Sequence, residues 1–135
     1  MASEHWDHVA ELADRARRDV EGFVEPETPP DDERALAYLR DGVAEVVSVY
    51  IEGRTGEYAD FSDVEVTLME RAVNDWLTLY ARCYGTEIEA AFTVREVAKT
   101  ALDTHNLRDT ARLLTGVPER DTGEAWNDPP EDGRV

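Results

Sequence analysis

His5 and His8 stand one helical turn apart among Glu4, Asp7 and Glu11, a grouping in which two imidazoles and a carboxylate could share a transition metal. The segment lies at a chain end in an acidic background, so a solvated helix start accounts for it and no metal ligand is assigned. Carboxylate-dependent hydrolysis needs Glu-x-x-Glu, Glu-x-x-Asp or Glu-x-x-His pairs on inward helix faces. Glu4/Asp7 and Glu11/Asp14 fall on the outer side of the first helical pattern, and Glu57/Asp60 falls between patterns. Glu65, Glu70 and Asp75 are five residues apart and splay around their helix axis. A small carboxylate-dependent hydrolase is therefore only the third reading.

Nucleophilic chemistry has one cysteine to draw on. Cys83 sits on an apolar stripe near the end of a helical pattern, away from the N-terminal dipole that lowers a thiol pKa, and reads as a core residue. His105 falls in an expected turn, and no Gly-x-Ser-x-Gly is present. Gly53 and Gly56 neither follow a strand nor open a helix, as a phosphate-cradling loop requires. No catalytic or cofactor-binding residue is assigned.

Charge distribution is more informative. Residues 1–92 carry 8 cations and 22 acids, residues 121–135 carry 1 and 5, and residues 93–120 carry 5 and 4. That near-neutral island holds Arg95, Lys99, Arg108 and Arg112, with Asn106 and Thr110 able to reach polar groups. These cations are the candidate contact residues for a partner, or for nucleic acid if residues 93–115 form a helix-turn-helix with the last helix in the major groove. Against DNA, the turn Thr104-His105-Asn106 lacks glycine, and Glu96, Asp103 and Asp109 interleave with the cations, so pairing within the helices explains them. Phosphate affinity also falls steeply with salt.

The elements that must hold these residues are helical. Trp6, Val9, Ala13, Ala16, Val20 and Phe23 form one stripe at steps of three and four, with Ser3 as a plausible cap. Leu36, Leu39, Val43, Val46 and Tyr50 form a second after Asp31 or Asp32, and Val66, Met69, Val73, Trp76, Tyr80 and Cys83 form a third. Ser62 with Glu65, flanked by Phe61 and Val66, predicts a capping box and hydrophobic staple, and Gly85 a stop. Thr93 with Glu96 predicts a fourth helix to about Asp103, and Asn106 caps a short fifth through Leu114, stopped by Gly116 and Pro118.

Val46 to Ile51 is β-branched enough for a strand, with a hairpin turn at Gly53-Arg54-Thr55-Gly56, but the unbroken stripe from Leu36 favours helix. Leu68, Ala72 and Leu79 on one flank of the third helix, and Leu77 and Tyr84 on the other, place it at the centre of a bundle or against a partner. Trp76, Tyr80 and Tyr84 follow at one-turn intervals, a spacing typical of core. Asn74 and Asp75 could bond across helices, although Asp75 has Arg71 one turn earlier.

The expected fold class is all-α, a compact bundle of four to five helices. Residues 1–120 would be a single domain with a stiff Pro-rich linker at 25–31, which could let the first helix pack at a distance or onto another subunit. Residues 121–135 would be an acidic disordered tail in which Trp126 is the only large apolar group.

The 135 residues carry 31 acids against 14 cations, thirteen of them Arg, for a net charge of −17. This composition resembles small acidic proteins of archaea that hold molar internal salt, a resemblance of habitat across the whole chain; no functional family is recognised. At about 1 M salt the screening length is about 3 Å, so such self-repulsion is tolerated there and costly in dilute buffer. No apolar run approaches the roughly 18 residues a membrane span needs, and residues 1–5 lack the features of a signal peptide. A cytoplasmic location without membrane partners is expected, and a lone cysteine agrees with a reducing compartment. The resulting expectation is a non-catalytic helical interaction or adaptor protein adapted to high salt, binding a protein partner or a second copy of itself. The helix-turn-helix regulator is the alternative.

Overall fold

A helix that is apolar on several sides has to be surrounded, and the longest helix is. In the computed structural model, which describes residues 5–55 and 61–118, α1 spans Trp6–Glu21, α2 Asp32–Tyr38, α3 Ala44–Thr55, α4 Asp63–Cys83, α5 Val94–Thr104 and α6 Leu107–Thr115. A π-helical turn, Leu39–Val43, joins α2 to α3. No strand occurs among the described residues, and the β-branched run Val46–Ile51 is helical, with Val46, Val47 and Val49 buried. The 121–135 segment lies outside the described residues.

The 21-residue α4 is the axis, with Met69, Ala72, Val73, Trp76, Leu77, Leu79, Tyr80, Ala81 and Cys83 all buried. Its start is the expected capping box: Ser62 Oγ accepts from the Glu65 amide at 3.1 Å, and Glu65 Oε1 accepts from the Ser62 amide at 2.8 Å. Its end is a Schellman turn, in which Thr86 N donates to Ala81 O and Gly85 N to Arg82 O while Gly85 takes φ 77°.

Against this axis α1 lays Val9, Leu12 and Ala16. The expected stripe is rotated, for Leu12 is buried while Trp6 stays 36% exposed. Ser3 lies outside the described residues, and His5, at the position before the helix, makes no side-chain cap.

The Pro-rich linker is clamped rather than used as a spacer. The guanidinium groups of Arg34 and Arg82 each lie over the Phe23 ring, 4.6 Å from its centroid. Arg82 Nε donates to Glu25 at 2.8 Å, Arg34 Nη2 to Val24 O at 2.8 Å, and Asp31 N to Cys83 O at 2.8 Å. The chain is thereby returned to the end of α4, and α1 packs on α4 of the same chain.

Asn74, mid-way along α4, bonds the extended segment before α5. It donates to Phe92 O and accepts from Phe92 N, both at 2.9 Å, while Glu70 Oε2 accepts from Val94 N at 3.0 Å. Thr93 and Glu96 close the second capping box, and Val94, Val97 and Ala98 enter the core.

Candidate binding surface along the last helix

The α5–α6 connection is made without glycine. His105 adopts the left-handed conformation at φ 56°, which Asn, Asp and His visit more readily than other non-glycine residues. Asn106 then caps α6 by accepting from the Asp109 amide at 2.9 Å. The Thr104 and Thr110 hydroxyls meet at 2.7 Å, and Thr110 Oγ1 donates to Asn106 O, so the turn is closed by side chains. Gly116, at φ 73°, ends the helix.

With Thr110 and Ala111 buried and Leu107 and Leu114 packed against the core, two edges of α6 face outward. One carries Arg108 and Arg112, the other Asp109 and Leu113, which is 69% exposed. A groove runs along each. The first, about 410 Å³, places Arg108 and Arg112 opposite Tyr80, Tyr84, Asp32 and Pro30. The second, about 470 Å³, is walled by Thr104, Asp109, Leu113 and Gly116. Arg112, Asp109 and Pro118 line both.

The wall opposite the cations is fixed. Tyr80 OH donates to Val117 O at 2.7 Å, tying the end of α6 to α4, and Tyr84 OH donates to Asp32 Oδ1 at 2.8 Å. The two rings meet at 5.3 Å and 58°. Burial pushes both phenols above their ordinary range, against the lowering pull of Arg108, joined by Arg112 at Tyr80. Among the described residues neither Arg108 nor Arg112 makes an ion pair or side-chain hydrogen bond.

The four cations of the near-neutral island do not form one surface. Arg95 and Lys99 stand on the outer face of α5, opposite its buried side, and Lys99 pairs at 3.6 Å with Asp103 in a contact whose side chains are 78% and 68% exposed. Only Arg108 and Arg112 share a groove. Sequence reading placed Tyr80 and Tyr84 in the core, where Tyr80 is buried and Tyr84 half-buried against it, but did not place them beside the groove. The available signal was the i, i+4 repeat of the two rings at the helix end.

Other chemistry-bearing residues have structural occupations. The ring of His5 packs against Phe61 at 5.5 Å, and among the described residues no three His, Cys, Asp or Glu side chains converge. Glu65 caps α4, Glu70 caps α5, and Asp75 lies near Arg71 and Arg17, its carboxyl raised by burial despite them. Cys83 is buried, and burial raises its thiol. A cavity of about 130 Å³ lies where Trp76 Nε1 donates to Asp19 at 2.8 Å and Arg15 stacks 5.2 Å from the indole. That is well below the roughly 300 Å³ at which ligand sites begin.

Fold and surface together define an all-α helical domain with a ridge between two grooves, in which no described helix is long and apolar enough to cross a membrane. The chain belongs to a family described as a domain of unknown function, DUF8055, whose model matches residues 3–119. No curated protein and no solved structure matches it.

Proposed function

We propose that this protein is a non-catalytic interaction module of a salt-rich cytoplasm, and that α6 is the ridge on which a protein partner docks. The observation that carries the reading is the pairing of grooves about one helix: Leu113 exposed on one edge, and on the other two arginines that have no carboxylate partner among the described residues and line a groove with Tyr80 and Tyr84. Arg and Tyr are enriched where interfaces concentrate their binding energy. At molar salt only near-contact charges survive screening, so a partner would rely on apolar contact with Leu113 and direct carboxylate–guanidinium pairs. The reading rests on an acidic, Lys-poor composition for its habitat and on the α6 surface for its role.

The helix-turn-helix alternative has less support from the geometry. Arg108 and Arg112 face Tyr84 rather than a groove-sized external surface shared with Arg95 and Lys99, and Asp109 and Leu113 occupy the opposite outward edge of α6. Affinity purification from cells grown and lysed at native salt tests both. A protein partner lost on Leu113→Glu, with the helical spectrum intact, supports docking on α6. Nucleic acid whose retention disappears with Arg108→Gln and Arg112→Gln would replace docking with the regulator reading. A second copy recovered through the same residues would make the chain its own partner.

A further inference from the structure

We propose that the occupant of the α6 ridge is a second copy of this chain, the two α6 helices lying parallel about a two-fold axis that runs along the ridge. Arg108 of each copy then pairs with the partner's Asp109, and Leu113 lies beside the partner's Arg112. The proposal deepens the docking reading and rests on it, since it names what docks.

Charge selects this occupant. Residues 1–92 carry 8 cations and 22 acids, so most of one copy repels most of another, whereas residues 93–120 carry 5 and 4. Two chains of net charge −17 therefore meet at least cost on the α5–α6 unit. At molar salt the selection acts where charges face one another across a contact, since only those escape screening. The outward side of α6 carries both signs. Among the described residues none of Arg108, Asp109 and Arg112 makes an ion pair, although Asp109 and Arg112 stand three residues apart, a spacing at which helical pairs form. The groove beside the arginines is balanced by Asp32 and Asp109, so it favours neither a strongly acidic nor a strongly basic partner. A patch that carries its own counter-charges is what an isologous contact needs, because there the same surface must complement itself.

Helix geometry sets the orientation. At about 100° per residue, Arg108 and Arg112 lie about 40° apart on the α6 cylinder, and Asp109 and Leu113 lie equally close on an edge about 100° further round. A two-fold axis across the helices makes them antiparallel and sets each edge against itself, arginines on arginines. An axis along them makes them parallel and sets each edge against the other. Arg108 and Asp109 differ by about 1.5 Å along the helix, so the two symmetric pairs are nearly level, as are Arg112 and Leu113. The 69% exposed Leu113 is thereby brought to the mouth of the partner's arginine groove, and the guanidinium–carboxylate pairs on either side are direct contacts of the kind that short screening lengths spare. The nine residues of α6 offer a strip about 14 Å long and about 12 Å wide. That is well short of the roughly 800 Å² per partner of a standard complex, so the pairing is weak and depends on concentration.

Sedimentation equilibrium of the full chain in molar KCl tests the proposal. The weight-average mass should climb from one chain toward two as protein is raised to about 1 mM, the range that reads a weak contact. Leu113→Glu, Arg108→Glu and Asp109→Arg should each weaken the pairing about tenfold with the helical spectrum intact. Mixed in equal amounts, the Arg108→Glu and Asp109→Arg chains should pair as tightly as the natural chain, because both contacts then join opposite charges. A natural chain that stays monomeric to that concentration overturns the proposal, as does a dimer indifferent to Leu113→Glu or a mixture no tighter than its components. So does pairing that tightens with Arg108→Glu alone, the result expected of antiparallel helices with arginine against arginine. A monomeric chain that still captures a different protein through Leu113 leaves the docking reading standing; that reading fails if capture ignores Leu113.

Discussion

Gly42→Ala should cost about 2 kcal/mol of stability, the balance of two opposed effects. Gly42 lies in the π-helical turn between α2 and α3, with its backbone against the face of Trp76. It has no positive φ to maintain, so what glycine provides is space. A Cβ there would stand 2.4 Å from Trp76 Cδ2, 2.7 Å from Cε2 and 2.8 Å from Cε3, distances at which something must move. The indole is poorly placed to yield, being 1% exposed, bonded through Nε1 to Asp19 and stacked against Arg15. Overpacking of a rigid core costs up to about 3 kcal/mol, and replacing a helical glycine by alanine returns about 1 kcal/mol. At about 2 cal/mol/K of unfolding entropy per residue, a domain of about 115 residues loses roughly 4 °C per kcal/mol, so the midpoint should fall by about 8 °C. Gly53→Ala is the internal comparison: its Cβ would meet the far end of the Phe61 ring, which is half-buried and held by ring contacts with His5 and Tyr50 rather than by a hydrogen bond, so the loss should be smaller than at Gly42. Thermal melts followed by far-ultraviolet circular dichroism at molar KCl measure both. A Gly42→Ala midpoint at or above that of the natural chain, or a larger loss at Gly53, would refute the reasoning.

Three further outcomes are expected. With a net charge of −17, melting temperature should rise between about 0.1 M and about 3 M KCl as screening shortens from about 10 Å to below 3 Å, and a flat profile would sink the high-salt reading. Because burial holds Tyr80, Tyr84 and Tyr38 above the ordinary phenol value of 10.0, the unfolded chain releases protons first; their contribution is complete below that pH and is lost as pH rises past it. Urea midpoints should therefore fall above about pH 10, and Tyr80→Phe should shallow that fall; midpoints that hold or rise would contradict the burial of these groups. Asn74→Ala strands the Phe92 amide and carbonyl and should cost about 1–3 kcal/mol, with faster hydrogen exchange at Phe92; unchanged exchange there would mean that the cross-link is not what holds the segment before α5.

What the sequence by itself determined is the helical course of the chain and the ends of α4, α5 and α6, while the π-helical turn that divides the second expected helix was not legible. The boxes at Ser62/Glu65 and Thr93/Glu96, the cap at Asn106, and the glycines at 85 and 116 act within a few residues of themselves, so their geometry follows from local composition. The apolar surround of α4 likewise announced its central place. Tertiary structure alone decided the rest. The rotation of α1 that buries Leu12, the clamp on the linker and the pinning of α6 depend on pairs such as Trp76 with Asp19, Arg82 with Glu25 and Tyr80 with Val117, separated by 57, 57 and 37 residues. The candidate site divides in the same way. Charge counting located the near-neutral stretch, but four cations in one stretch of sequence became two on the outer face of α5 and two opposite Tyr84. Which edge of a helix meets which neighbour depends on how the helices pack, and neither charge nor local periodicity encodes that.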